Sequence, residues 1–99
     1  MLSNRIPQWE GRNMQRPWVT SAAYEAAIEA VVAARQDAGL TQRALADLLG
    51  KPRSFVSKLE SRERRLDIIE FIVVCRALGI GPGDMIARIE GILPSEISF

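Results

Sequence analysis

From Ser21 onward the apolar residues recur at intervals of three and four, with glycine or proline between the runs. That spacing puts them on one face of successive helices. Tyr24, Ile28, Val31, Val32 and Arg35 share a face of an alanine-rich helix predicted from Ser21 to Ala38 and ended by Gly39. A second helix is predicted over Thr41–Leu49, with Leu45, Leu48 and Leu49 on one side and Gln42, Arg43 and Asp47 opposite. Thr41 can cap its first turn. Gly50 follows the last periodic residue, where a left-handed conformation ends a helix most cheaply. Pro52, with its preset φ, opens a third helix of roughly Pro52–Ser61. Phe55, Val56 and Leu59 cluster on one of its faces, and Arg53, Ser54, Ser57 and Lys58 centre about 180° away. Asp67-Ile68-Ile69-Glu70 has the form of a capping box opening a fourth helix, along which Ile68, Phe71, Ile72, Cys75 and Leu78 align before Gly79. Pro82 suits the start of a fifth, with Met85, Ile86, Ile89 and Ile92 as its stripe and Gly91 and Pro94 as its stop.

The pattern predicts an all-α domain of five helices over residues 21–92, followed by an apolar, mildly acidic tail at 93–99 that is a candidate dimer contact. Residues 1–20 lack usable periodicity and hold Arg5, Arg12 and Arg16 against Glu10, which reads as a basic N-terminal arm. Such arms can enter a minor groove beside a bound helix. The other reading, a flap that packs Trp9 and Trp18 on the domain or simple disorder, is favoured because tryptophan gains more from burial than an arm needs.

The second and third helices, joined by a tight turn, form the stretch Leu40–Leu66 around which the rest is organised. Small Ala46 leaves room for close approach, and the third helix buries an apolar edge while presenting a row of donors. A helix-turn-helix that places its second helix in the DNA major groove fits this pattern. The motif T-Q-x-x-L-A (Thr41, Gln42, Leu45, Ala46), followed by Leu49-Gly50, Ser57 and Glu60, resembles the Cro/C1-type (XRE) helix-turn-helix family of bacterial and phage regulators. S-F-V-S-K-L-E (Ser54–Glu60), continued by R-R-L-D (Arg64–Asp67), is similar to one common bacterial subset of it. The resemblance covers roughly Val31 to Ile92 and implies a lambda-repressor-like five-helix fold.

It further implies a role for Arg35, a charge at the end of an apolar stripe whose unpaired burial would cost several kcal/mol. In proteins resembling this one, a basic residue there pairs with the glutamate ending the recognition helix, here Glu60. That makes Arg35 and Glu60 a structural ion pair between the first and third helices. Two residues depart from the family pattern. Arg62 stands where glycine commonly follows the recognition helix, and a left-handed arginine costs on the order of 1 kcal/mol. Either the loop is rearranged or a phosphate contact offsets the strain. Lys51 stands where an apolar or small residue is more typical.

Composition adds limits. A 99-residue chain with 47% hydrophobic residues supports one core and not two. The formal charge is only +1, which argues against a nonspecific polycation, but it is unevenly spread. Leu40–Leu66 carries seven basic residues against three acidic, whereas residues 67–99 carry two against five. This polarity suits a molecule that meets phosphates in one direction. With one cysteine and no histidine, an internal disulfide, a tetrahedral zinc site and a histidine-based triad are unavailable. Cys75 lies on an apolar helix face and reads as a small hydrophobe. Gly79–Gly83 lacks a preceding strand and phosphate-loop spacing, so it reads as a turn. The most apolar run, Ile68–Cys75, falls far below the roughly 20 residues of a membrane span. The expectation is a soluble, cytoplasmic protein, nucleoid-associated when bound.

The leading expectation is therefore a sequence-specific regulator of double-stranded DNA, a homodimeric repressor with no cofactor. Arg53, Ser54, Ser57 and Lys58 face base edges and flanking phosphates. Gln42 and Arg43 meet the backbone at a helix N-terminus, and Lys51, Arg62, Arg64 and Arg65 add contacts around them. The alternative is a protein-interaction module, antitoxin-like or adaptor, that uses the same fold. An enzyme reading lacks a nucleophile–base pair or a metal set.

Overall fold

A computed structural model describes residues 21–97 of the chain. The described residues form five helices and no strand: α1 (Ala22–Asp37), α2 (Gln42–Leu49), α3 (Arg53–Glu60), α4 (Ile68–Leu78) and α5 (Pro82–Ile92). Both readings of the N-terminal arm fall outside the described residues. No helix among the described residues is long and apolar enough to cross a membrane.

Side chains set three of the helix starts. Ser21 Oγ accepts from the Tyr24 amide at 3.1 Å and Thr41 Oγ1 from the Ala44 amide at 3.0 Å. Asp67 Oδ1 accepts from the Glu70 amide at 2.7 Å while Glu70 Oε1 accepts from the Asp67 amide at 3.1 Å, a complete capping box. Each such cap stabilises a helix by about 1 kcal/mol. Gly50 ends α2 at φ 69°, and the Lys51 amide donates back to the Ala46 carbonyl at 2.9 Å. This left-handed residue turns the chain from α2 into α3 within a few residues, which fixes the geometry of the motif.

The core joins Val31 and Ala34 of α1, Leu45 and Ala46 of α2, Val56 of α3, Val74, Cys75 and Leu78 of α4, and Met85 of α5. Ala46 is 1% exposed, so α2 and α3 approach closely where a larger side chain would hold them apart. Burial raises the pKa of the Cys75 thiol, as befits an inert core residue. Several faces differ from the periodic expectation. Leu48 is exposed, because the buried face of α2 centres on Leu45, Ala46 and Leu49, and Leu48 lies more than a quarter-turn from it. On α4 the buried face runs through Val74, Cys75 and Leu78, leaving Ile68 at the open end exposed. Gly91 does not stop α5: its φ is not left-handed, and the helix continues to Ile92 before Leu93 breaks it in an extended conformation. Ile86 and Ile92 remain exposed on α5, as does Ile97 in the tail.

Candidate nucleic-acid interface

The third helix carries its chemistry on the side away from the core. Val56 and Leu59 are buried and Phe55 half-buried, which fixes the rotation of α3 about its axis. Arg53, Ser54 and Lys58 are then exposed and Ser57 half-buried, its Oγ donating to the Ser54 carbonyl at 3.2 Å. Arg43 on α2 is also exposed. Neither Arg43 nor Lys58 makes an ion pair among the described residues, so both charges are available to a partner.

A chain of hydrogen bonds underlies this face. Arg35 donates from Nε to Glu60 Oε2 at 2.6 Å and from Nη2 to Glu60 Oε1 at 3.0 Å. Its Nη1 donates to the Leu40 carbonyl at 2.7 Å. The two side chains are 10% and 11% exposed, so the bidentate pair clamps α1 to the end of α3 in a largely dry setting. Gln42 Nε2 donates to the same Glu60 Oε1 at 2.9 Å, and Gln42 Oε1 accepts from Arg53 Nη1 at 3.1 Å. Gln42, expected to meet a phosphate, thus has both ends of its amide engaged within the protein.

Two arginines of the loop after α3 pair with acidic side chains of the domain. Arg62 is the one non-glycine residue with positive φ (66°) among the described residues, so the left-handed turn is kept although glycine is not. Its guanidinium lies 3.3 Å from Glu25 on α1. Arg64 makes a bidentate pair with Glu70, at 2.8 and 2.9 Å, and stacks over Phe55 at 4.8 Å from the ring centre. The Arg64 hydrogen bond holds the Glu70 carboxyl below the usual range, and the Glu70 carboxylate in turn raises Arg64. Lys51 lies over the same ring at 5.4 Å and Arg65 over Tyr24 at 6.0 Å. The Tyr24 hydroxyl accepts from the Leu66 amide at 3.0 Å, tying the loop to α1. Sequence reasoning missed Glu25, Glu70 and Tyr24 as partners of this loop. The capping box had already given Glu70 a role, and no periodic spacing links Arg64 to it.

A helix-turn-helix family model matches residues 31–85, more than half of the chain. Within that span fall Arg35, Gln42, Arg53 and Glu60, the whole hydrogen-bonded chain. This chain belongs to the Cro/C1-type (XRE) helix-turn-helix family. Among solved structures, an XRE-family like protein from Pseudomonas syringae pv. tomato is 45% identical, with a TM-score of 0.70 over 77% of this chain and 93% of that one. The clp gene regulator ClgR from Corynebacterium glutamicum is 27% identical, with a TM-score of 0.65 over 75% of this chain and 96% of that one. A second ClgR structure gives 29% identity and a TM-score of 0.62 over 70% of this chain and 73% of that one. None of the curated proteins matches the chain. In this XRE protein the left-handed turn after the recognition helix is made by Arg62, whose guanidinium pairs with Glu25 on α1.

Proposed function

We propose that this XRE protein binds double-stranded DNA sequence-specifically as a homodimeric transcriptional repressor, with α3 in the major groove. The carrying observation is the outward row Arg53, Ser54, Ser57 and Lys58 on the second helix of the motif, opposite buried Val56 and Leu59. Donors in such a row can meet base edges, while exposed Arg43 at the start of α2 lies at a helix N-terminus suited to phosphate. The likeness to a clp gene regulator supports a regulatory role. Exposed Ile86 and Ile92 on α5, with Ile97 beyond it, support pairing of two copies through the C-terminal segment. Half-sites then lie about one helical turn apart.

Two variants test the reading on a duplex selected from random sequence. Arg53→Ala is expected to cost about 1–3 kcal/mol and to relax preference at one base pair. Arg43→Ala is expected to weaken all sequences alike and to reduce the salt slope by about one unit, since it removes a phosphate neutraliser. Unchanged sequence preference in Arg53→Ala would remove α3 from the major groove. Light scattering at micromolar concentration checks the dimer, and a monomer both free and on DNA would contradict it.

A further inference from the structure

α4 is apolar on its outer side as well as its inner one. The inner side gives Val74, Cys75 and Leu78 to the core, with Phe71 packed against them. Beside and behind it, Ile68 with Ile72 and Ile69 with Val73 stand four residues apart, so each pair stacks one turn above the other. Ile68 is 73% exposed, Ile69 65% and Val73 44%, while Ile72 is half-buried. Only Glu70 and Arg76 are charged in this helix, and Glu70 is engaged by Arg64 and by the Asp67 amide. A helix apolar all round is ordinarily covered all round, and neighbouring exposed apolar side chains mark a docking surface. The pairing proposed above through Ile86, Ile92 and Ile97 leaves this face without an occupant.

We propose that the outer face of α4 seats the chain's own residues 1–20, which turn back from the start of α1 and lay Trp9 and Trp18 on Ile68, Ile69, Ile72 and Val73. The segment joins the domain at Ser21, beside the entry to α4. There the Tyr24 hydroxyl accepts from the Leu66 amide at 3.0 Å and Arg62 lies 3.3 Å from Glu25. Ile68 follows two residues after Leu66. Extended chain from Ser21 back to Trp18 spans about 10 Å, and back to Trp9 about 40 Å. The face to be covered, Ile68 to Val73, runs only about 7.5 Å along the helix. Charge selects the same side of the molecule. Residues 1–20 carry three arginines against one glutamate, Leu40–Leu66 seven basic residues against three acidic, and residues 67–99 two against five. The basic segment is therefore repelled by the recognition side and drawn to the half of the domain that contains α4. Two tryptophans supply the broad apolar surface that such a face accepts.

Both tryptophans of the chain lie in this segment, so tryptophan emission of the full-length protein reads its seat directly. Without DNA, the wild type is expected to emit to the blue of its urea-unfolded form, to resist quenching by acrylamide, and to do both at every protein concentration. Ile69→Gln/Val73→Gln changes only exposed positions of α4 and leaves Val74, Cys75 and Leu78 in place. It is expected to move the emission to the red and to raise acrylamide quenching. Ile86→Gln on α5 is expected to change neither. Solvent-exposed emission in the wild type overturns the proposal. So does protected emission that the α4 variant leaves intact, or that Ile86→Gln also releases, because either seats the tryptophans elsewhere. A red shift on dilution overturns it in favour of a second copy, and protection that appears only with an added duplex overturns it in favour of a groove-binding arm. Circular-dichroism melts accompany each variant, and if the double variant does not melt cooperatively, Val73→Gln alone replaces it with the same expectation.

Discussion

Replacing Arg35 by alanine should be among the most damaging single changes available to this fold. The substitution deletes the 2.6 and 3.0 Å bonds to Glu60 and the 2.7 Å bond to the Leu40 carbonyl. What remains is a carboxylate that is 11% exposed while Arg35 covers it, with Gln42 Nε2 as its remaining side-chain partner among the described residues. Breaking a buried pair from one side typically costs about 3–5 kcal/mol, because the surviving charge keeps its desolvation penalty. Access of some water to both partners puts the expectation near the lower end, about 3 kcal/mol. Against a total stability of about 5–15 kcal/mol that is a large share. For a domain of this size it corresponds to a fall in Tm of about 12–24 °C. Urea melts of wild type, Arg35→Ala, Glu60→Ala and the double variant supply both the cost and the coupling. The double variant should lose less than the sum of the singles, since the second removal also removes the stranded charge. Strict additivity, or a cost below about 1 kcal/mol for Arg35→Ala, would mean that the two side chains do not form a buried, coupled pair.

Other parts of the loop make separate predictions. Arg62→Gly relieves a left-handed arginine, worth about 1 kcal/mol, and loses an exposed pair with Glu25 worth at most about 1 kcal/mol. The balance should be neutral to slightly stabilising in a urea melt, and a loss above about 1 kcal/mol would show that the pair with α1 outweighs the backbone strain. Glu70→Gln keeps an acceptor for the Asp67 amide but removes the charge facing Arg64. Because the folded-state pKa of Glu70 is depressed, its contribution is full above the ordinary carboxylate value and is lost as pH falls through about 4.3 and below. The variant should be less stable than wild type by under about 1 kcal/mol at pH 7, discounted because Arg64 is 40% exposed, and the difference should vanish in acid. A difference that stays unchanged down to the lowest pH at which both proteins remain folded would assign the effect to the capping box instead.

Much of the fold can be read from the residues because capping and periodicity agree locally. Thr41, Gly50 and the Asp67–Glu70 box mark helix ends that the structure places within a residue or two. Faces were harder to read on short helices. With eight residues, α2 offers too few turns for periodicity to exclude Leu48 from the core, and only packing against α3 and α4 decides its exposure. Gly91 misleads for a related reason, since glycine ends a helix only where the chain needs positive φ. At the candidate interface, the outward row on α3 follows from amphipathicity alone. The partners of Gln42, Arg62 and Arg64 do not, because those contacts cross between elements and carry no sequence period. The basic count of Leu40–Leu66 therefore overstates the free charge on this face, as Arg62 and Arg64 are engaged with Glu25 and Glu70.

Selection of bound sites from random duplexes by the wild-type protein, followed by titration of a selected and a scrambled duplex across salt, tests whether this protein reads DNA sequence. The expected result is a recovered two-fold site containing a guanine whose replacement weakens binding by about tenfold or more. Affinity for both duplexes should fall with salt by a log–log slope of about −0.9 per phosphate neutralised. Recovery of no common sequence, with equal affinity for selected and scrambled duplexes, would contradict it and turn attention to a protein-binding role for the same fold.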